Sequence, residues 1–372
     1  MNLSYWEHQS WLSNVDHTIV GSGIVGLNTA LRLREKFPKA NILILERGFL
    51  PNGASTKNAG FACFGSLSEI LDDLNSHSEE EVVQLVQKRV DGLALLRTTL
   101  GNEAIDFKLW GGYELFTPQD KALLEDCESK MEYVNKLLFP VFKENVFSSV
   151  PDKFNFKKIE ETLIFNKFEG QINTGRMMEA LLQKALSAGI KILNNITVQE
   201  FSEVNSGVKI KTDQFEFSTK KLFIATNGFA AQLGMDSVKP ARAQVLITKP
   251  IENLQIQGTF HLDKGFYYFR NIDKRILLGG GRNLDIKTEE TTNLGETELI
   301  QNKLEELLRE TILPNIDFEI DRRWSGIMGV GVQKKPIVKR LSSNTFCGVR
   351  LGGMGVAIGS LVGKELADLI PH

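Results

Sequence analysis

The sequence predicts an α/β fold (α+β overall), in which a doubly wound, Rossmann-like nucleotide-binding domain is interleaved with a second domain built on a large mixed or antiparallel sheet. Three observations carry this prediction. Residues 16–48 show the strand, glycine-rich turn, helix and second strand of a βαβ unit. Residues 241–283 alternate apolar and polar positions, which is typical of antiparallel strands. The chain of 372 residues is long enough for two domains, and no linker or internal repeat separates them.

The turn of the βαβ unit is Gly21-Ser22-Gly23-Ile24-Val25-Gly26. Gly21 permits the tight turn, Gly23 lets a pyrophosphate approach the backbone, and Gly26 lets the helix pack closely on the strand. The N-terminus of the helix offers free N–H groups and a partial positive charge to phosphates. The turn therefore predicts a dinucleotide site, and by itself it leaves FAD and NAD open.

Glu46 ends the second strand of the unit, about 20 residues after the last glycine of the turn. A carboxylate at this place can accept hydrogen bonds from ribose hydroxyls. It would repel a 2′-phosphate, so NADP is not expected here.

Composition excludes several classes of protein. The net charge of −2 and the pI of about 6.3 give no basic surface for nucleic acid, so nucleic acid is not an expected partner. Three widely spaced cysteines exclude a disulfide framework and favour a reducing compartment, so a cytoplasmic location is expected. No cysteine or histidine spacing suggests a metal site. No apolar run reaches the ~18 residues of a transmembrane segment, and the N-terminus does not resemble a signal peptide.

Helical spacing of apolar residues predicts further helices, the first of which opens in a capping box at Ser78. These helices cover residues 79–100, 119–139, 174–189 and 295–313. Three aromatic residues precede the βαβ unit, Tyr5, Trp6 and Trp11, and we expect them to pack against the nucleotide-binding domain rather than to contact a partner.

Further motifs follow the βαβ unit along the chain. They are Gly53–Gly60, Gly170–Thr174, Val198, Ala225–Gly228, Trp324–Gly329 and Gly352–Ala357. In order and spacing, these motifs resemble those of the FAD-dependent D-amino acid oxidase superfamily, which includes glycine oxidase, sarcosine oxidase and D-amino acid dehydrogenase. The resemblance covers essentially the whole chain, and it favours FAD over NAD.

The resemblance implies how the chain is divided and where FAD binds. Residues 1–85, 165–240 and 325–372 would form the FAD-binding domain, and residues 86–164 and 241–324 the substrate domain. FAD would lie at their junction without a covalent bond. The predicted cofactor-binding residues are Gly21, Ser22, Gly23, Ile24, Val25, Gly26, Glu46, Arg47, Ser55, Thr56, Lys57, Asn58, Ala59, Gly60, Val198, Ala225, Thr226, Gly228, Gly329, Gly352, Gly353, Met354, Gly355, Val356 and Ala357.

A carboxylate substrate would need a cation, preferably an arginine. The cations usual in the family are absent: Gly326-Ile327-Met328-Gly329 stands where many amino acid oxidases carry Arg-Pro, and Ala357 where sarcosine oxidases carry lysine. The arginines that remain as candidates are Arg270, Arg282 and Arg350, and Arg350, just before the flavin-side turn, is the best placed.

Two further side chains are candidates for the site. Tyr267 and Tyr268 are neighbours in a predicted strand, so only one of them can face the pocket and bind substrate. Tyr267 joins Arg350 and Arg270 as a predicted catalytic residue. Lys57, in the flavin loop, could pair with a phosphate or lie beside the flavin ring.

The resemblance implies oxidation of a C–N bond of an amino acid or related amine, by hydride transfer to flavin N5 and hydrolysis of the imine. Oxygen or a quinone would then accept the electrons. Three alternatives stay open at this point: a dehydrogenase of a hydroxy acid or glycerol phosphate, an FAD-dependent RNA-modifying unit, and a flavin-binding interaction protein without catalysis.

Overall fold

The computed structural model describes residues 2–205 and 207–371. Its strands, numbered in chain order, are β1 (Val15–Val20), β2 (Ile42–Leu45), β3 (Phe61–Ala62), β4 (Gly112–Leu115), β5 (Phe147–Pro151), β6 (Thr162–Asn166), β7 (Gly170–Gln171), β8 (Lys191–Leu193), β9 (Val198–Val204), β10 (Gly207–Thr212), β11 (Glu216–Ile224), β12 (Lys239–Thr248), β13 (Thr259–Leu262), β14 (Tyr267–Ile272), β15 (Arg275–Gly280), β16 (Ile320–Val330), β17 (Ile337–Arg340) and β18 (Thr345–Val349).

The predicted helices 79–100, 119–139 and 174–189 are confirmed within a few residues at their ends, and the predicted helix 295–313 is an α-helix over Glu298–Leu307 that continues as a π-type turn. The α-helices are α1 (Tyr5–Glu7), α2 (Ile24–Lys36), α3 (Ala54–Lys57), α4 (Leu67–Leu74), α5 (Glu79–Leu100), α6 (Lys121–Phe142), α7 (Thr174–Ser187), α8 (Ile286–Glu289), α9 (Glu298–Leu307) and α10 (Gly355–Asp368). Short 3₁₀ segments cover Pro118–Asp120, Asn227–Leu233 and Arg282–Leu284, and π-type turns cover His8–Leu12 and Leu308–Ile312. Within the described residues, no helix has the length and apolar character that crossing a membrane requires.

The first sheet is the predicted nucleotide-binding sheet. Its strand order is β17-β18-β11-β1-β2-β8, and β9 and β10 extend it as an antiparallel pair beside β11. β1 runs parallel to β2 and β11, and Val20 lies opposite both Leu45 and Ile224 in register. The carboxyl ends of these three strands therefore meet at one edge, which is where α/β sheets bind their ligands.

The second sheet confirms the predicted β-rich region. Its order is β16-β12-β15-β14-β13-β4-β6-β5, antiparallel except for the parallel pair β13 and β4. One face packs an aromatic core, in which the Phe260 and Phe269 rings stack at 4.5 Å. On the other face, one row of directly opposed residues crosses six strands: Trp324, Val245, Gly279, Tyr268, His261 and Glu114.

β16 crosses the predicted domain boundary at residue 325 and belongs entirely to the second sheet. The glycines of the Trp324–Gly329 motif therefore approach the first sheet from the second one. The division of the chain into domains stays a prediction.

The expected packing of the N-terminal aromatics is wrong for Tyr5 and Trp6, which are 68% and 75% exposed. Both belong to α1, a single turn with no buried residue that a capping box between Ser4 and Glu7 holds at the surface. Trp11 is also exposed. Aromatic character alone did not predict burial here, because the segment lies outside both sheets.

The ion pair between Arg242 and Glu289 should be important for the stability of the second sheet. Two hydrogen bonds of 2.7 and 2.8 Å join them, and their side chains are only 9% and 0% exposed. We expect Glu289→Ala to lower the free energy of unfolding by about 3–5 kcal/mol, because it leaves a buried guanidinium unpaired. Urea unfolding followed by circular dichroism measures this change.

Glu310→Ala is the matched control, since Glu310 pairs with Lys158 at the surface. We expect its unfolding midpoint to equal that of the wild type. An equal loss in both variants would contradict the prediction.

Candidate cofactor and substrate site

A cavity of about 600 Å³ is lined by residues of both sheets. From the first sheet come the βαβ turn, the end of β2 and the end of β11. From the second come residues of β12, β13, β14 and β16. Other walls include the loop after β2, the turn before α10, part of α4 and the loop between β13 and β14.

The glycines of the βαβ turn lie where a side chain could not fit. A Cβ on Gly21, whose φ is +102°, would lie 2.9 Å from the carbonyl oxygen of Ala225, and one on Gly26 would lie 1.9 Å from that of Gly21. A Cβ on Gly23 would lie 2.8 Å from Ser55 Oγ, which accepts a hydrogen bond from Ile24 N at 2.9 Å. The N-terminus of α2 and the Ser55 hydroxyl thus form one wall suited to a pyrophosphate.

Glu46 is held in place for a ribose. Its carboxylate accepts hydrogen bonds from Ser22 N (3.1 Å), Ser22 Oγ (2.7 Å) and Gly48 N (2.9 Å). Next to it, the guanidinium of Arg47 lies 3.5 Å from the centre of the Phe229 ring, and both residues line the cavity. This end of the cavity therefore has the groups that an adenosine requires.

The loop after β2 is closed by Asn58. Its Nδ2 donates to Ser55 O at 2.8 Å, and its Oδ1 accepts from Gly60 N and Thr174 Oγ1, both at 2.9 Å. This links the Gly53–Gly60 loop to the Gly170–Thr174 segment. The carboxyl-terminal turn is held in a similar way by Asn227, whose Oδ1 accepts from Arg350 N (3.0 Å) and Leu351 N (3.2 Å).

Most of the predicted cofactor-binding residues line this cavity. They are Gly21, Gly23, Ile24, Val25, Glu46, Arg47, Ser55, Lys57, Asn58, Ala59, Gly60, Val198, Ala225, Thr226, Gly352, Gly353, Met354, Gly355 and Val356.

Six predicted cofactor-binding residues lie behind its wall: Ser22, Gly26, Thr56, Gly228, Gly329 and Ala357. Ser22 holds Glu46, and Thr56 donates to Pro51 O at 2.7 Å on the far side of the loop. Ala357 is buried against Gly92 of α5. These residues shape the cavity without lining it.

The structure places Tyr268 on the cavity wall, and Tyr267 in the hydrophobic core on the opposite face of β14. The Tyr268 ring lies over Gly279 of β15, where a Cβ would be 2.6 Å from Cε2. Burial raises the pKa of Tyr268 to about 12, so it stays a neutral hydroxyl at physiological pH. Of the two tyrosines, Tyr268 and not the predicted Tyr267 faces the cavity.

Arg270 and Arg350 do not line the cavity either. Arg270 is buried and donates to the carbonyl oxygens of Ala59 and Ile172, so it fixes the flavin loop from behind. Arg350 has a φ of +65°, and its Nε donates to Lys335 O at 2.9 Å. Arg282 does line the cavity, with its guanidinium 5.8 Å from the Phe266 ring.

The cavity wall formed by β3, β13 and β14, called the substrate end below, also contains two residues that the sequence analysis did not select, Phe61 and His261. Phe61, Tyr268 and His261 form an aromatic wall, with Phe61 edge-on to the other two rings at 5.6 and 5.3 Å. His261 could have been found from the period-two pattern of β13, since it alternates with the core residues Phe260 and Leu262. In the described ranges, no group of His, Cys, Asp and Glu could hold a metal ion.

The model of the family "FAD dependent oxidoreductase" (DAO) matches residues 16–369. The chain belongs to this family. FAD is therefore its cofactor. The residues of the dinucleotide end fit that group, because the glycines of the βαβ turn keep the backbone free of side chains where a pyrophosphate would approach, and the carboxylate of Glu46 is held in place for a ribose.

Curated relatives of this family member include gamma-glutamylputrescine oxidoreductase of Escherichia coli, which is 23% identical over 95% of the chain and 83% of the relative. Probable oxidoreductase OrdL of Haemophilus influenzae is 20% identical, with coverages of 96% and 83%. Among solved structures, glycine oxidase from Geobacillus kaustophilus matches with a TM-score of 0.77 and 20% identity, covering 95% of this chain and 94% of that one. L-proline dehydrogenase from P. horikoshii matches with a TM-score of 0.75 and 19% identity, covering 96% and 93%. These likenesses confirm the predicted fold.

Gly23→Ala should weaken FAD binding about tenfold or more, because the new methyl group would press on Ser55 Oγ at the pyrophosphate wall. The flavin retained on purification, measured as the ratio of absorbance at the flavin and protein bands, tests this.

Gly175→Ala is the control, because a Cβ at Gly175 in α7 meets only Asn173 Oδ1, at 3.4 Å. It should purify with wild-type flavin content. Full flavin content in Gly23→Ala would show that the pyrophosphate does not pass this wall.

Proposed function

We propose that this flavoenzyme oxidises the C–N bond of an amino acid or of a related amine that carries a carboxylate. The observation that carries the proposal is Arg282. Arg282 lines the cavity, and its side chain has no ion pair or hydrogen bond within the described residues. An arginine whose N–H groups are not already bound to a carboxylate, beside a flavin site, is suited to bidentate binding of a substrate carboxylate.

The relatives support the same class of substrate. One is named a gamma-glutamylputrescine oxidoreductase and another a glycine oxidase, and both names describe compounds with an amino group.

A second structural observation, after Arg282, is the aromatic wall of Phe61 and Tyr268, which would hold an apolar part of a substrate and exclude water.

FAD, when bound, would supply the acceptor for a hydride from the carbon that carries the nitrogen. The chain's own task is to orient this carbon and to stabilise the charge that develops. Residues 352–356 line the cavity at the start of α10, so the N–H groups and the positive end of that helix can stabilise negative charge there. Water then hydrolyses the imine product.

The alternatives have weaker support. A phosphate substrate such as glycerol phosphate would need several available cations, and two of the lysines that line the cavity are already paired, Lys334 with Asp73 at 2.5 Å and Lys264 with Asp72 at 3.6 Å. RNA modification would need a basic surface, and the net charge is −2. The carboxylate of a hydroxy acid could bind Arg282 as that of an amino acid would, so the substrate panel below includes hydroxy acids.

We further propose non-covalent FAD and a cytoplasmic enzyme, with oxygen or a quinone as the electron acceptor. Cys63 lines the cavity, with its sulfur 3.6 Å from Met354 Sδ. Burial raises its thiol pKa well above the usual value, which disfavours the thiolate needed to attack a flavin. Cys63, Cys127 and Cys347 are all free and buried, as suits a reducing compartment.

An amine or amino acid should bleach the visible flavin band of the anaerobic protein. The panel contains D- and L-amino acids, N-methyl amino acids, polyamines, hydroxy acids and glycerol phosphate. Readmitting air distinguishes an oxidase from a dehydrogenase. Bleaching by a hydroxy acid or glycerol phosphate alone would overturn the C–N assignment, and bleaching by none of these compounds would favour a non-catalytic flavoprotein.

Arg282→Met should raise KM for a carboxylate substrate about 10- to 100-fold, because a charge-assisted hydrogen bond contributes about 1.5–3 kcal/mol. Steady-state kinetics against the substrate that the panel identifies would measure this.

Arg309→Met is a matched control, since Arg309 lies 5.3 Å from the Phe318 ring but outside the cavity. Its KM should be that of the wild type. Equal KM values for all three proteins would exclude Arg282 from substrate binding.

A further inference from the structure

A histidine lies in the substrate end of the cavity with one ring nitrogen engaged. His261 faces the cavity from β13, directly opposite Tyr268 and edge-on to Phe61. Its Nε2 is 2.9 Å from Glu169 Oε2. Its Nδ1 has no hydrogen-bond partner within the described residues, although the side chain is only 7% exposed. The ring can therefore make one more polar contact, with a ligand of the cavity.

Glu169 is built into the sheet as a fixed partner. It is 1% exposed, and its Oε2 also accepts a hydrogen bond from Thr259 Oγ1 at 2.9 Å. Glu169 occupies space that Gly112 of β4 leaves free, since a Cβ on Gly112 would lie 2.0 Å from Glu169 Oε2. No lysine or arginine pairs with Glu169 in the described part of the chain, so His261 is its counter-ion.

The surrounding groups keep this histidine charged. Burial by itself would lower the pKa of His261, but Glu169, with Glu69 of α4 and Glu114 of β4, outweighs burial and raises it to about 9. Cys63 and Tyr268 also face this region, and burial raises the pKa values of both, so both stay neutral. His261 therefore carries a proton on each ring nitrogen at neutral pH.

The other deeply buried histidine shows that burial alone would not do this. His17 of β1 has no carboxylate hydrogen-bonded to its ring, and its Nδ1 lacks any partner among the described residues. Burial there, only partly opposed by Asp16, lowers its pKa to about 4, so it is neutral. The difference lies in Glu169, which a core histidine would not require.

We propose that His261 is a specificity-determining residue. Its positively charged ring donates a hydrogen bond from Nδ1–H to a carboxylate of the substrate. The inference rests on the proposed function, because it assumes an amino acid or a related carboxylate in the cavity. Glu169 acts through His261 and is a positioning residue. Together with Arg282, the pair supplies positive charge that the usual motifs of the family do not supply in this sequence.

Acetate and acetamide are matched probes of this contact, because they share a shape and differ in charge. Their dissociation constants can be measured with the flavin-containing enzyme, from the change in its visible spectrum, between about pH 6 and about pH 10.5. Since the protonated ring binds the anion, acetate should bind fully at pH values well below 9 and progressively more weakly as the pH rises through about 9. Acetamide should bind equally over the whole range.

Two variants and a control test the assignment. His261→Gln should bind acetate about 10- to 100-fold more weakly at pH 7 and lose the weakening near pH 9, because a neutral amide replaces a charged donor. Glu169→Gln should move that weakening to lower pH, toward the 6.5 of an unperturbed histidine. His8→Gln, at an exposed histidine outside the cavity, should match the wild type.

Wild-type acetate affinity in His261→Gln, or an unmoved pH dependence in Glu169→Gln, would overturn the proposal. Flavin content and unfolding midpoint show whether each variant is folded, and His261→Gln tests the contact alone should Glu169→Gln not fold. The binding assay needs no turnover. Acetate binding that depends on His261, together with a flavin that no amine bleaches, would retain this inference and reject the proposed function.

Discussion

The cavity depends on one side-chain amide that joins three parts of the chain. Asn227, just after β11, accepts hydrogen bonds from Arg350 N and Leu351 N of the turn before α10. Gly329 of β16 comes so close that a Cβ there would lie 2.6 Å from Asn227 Oδ1, and its carbonyl oxygen accepts from Gly352 N at 3.1 Å. The first sheet, the second sheet and the last helix therefore meet at a single point.

This junction explains why separate glycine motifs occur far apart in the sequence. Each of them brings backbone to the same place, and a side chain at Gly329 would separate β16 from Asn227. The hydrogen bonds of Asn227 hold the turn before α10, whose residues line the cavity. Flavin binding therefore depends on the same contacts that join the two sheets, and several segments of the chain contribute to these contacts.

The dinucleotide end could be predicted from the sequence because its determinants are local. The turn from Gly21 to Gly26 and the acid at Glu46 lie within one βαβ unit, and both line or shape the cavity as expected. The substrate end depends on strand register and on contacts between distant segments. The alternation of Tyr267 and Tyr268 required one to face the pocket, but the choice depended on Gly279 of another strand, which makes room for the Tyr268 ring. Arg350 was well placed in sequence, yet its left-handed backbone and its bond to Lys335 O keep it off the cavity wall.

The same register determines the electrostatics of the substrate end. Glu114, His261 and Tyr268 are opposed across β4, β13 and β14, so a buried carboxylate and a neutral phenol flank the histidine on its own row. Burial raises the pKa of Glu114, and hydrogen bonds from Ser66 and Ser68 oppose that rise. Glu169 lies outside the row and reaches His261 through the space above Gly112. A shift of β4 by one residue would put a side chain into that space and would leave a buried histidine without its counter-ion. The charge of the substrate end is therefore fixed by the packing of the second sheet, which no single motif of the sequence encodes.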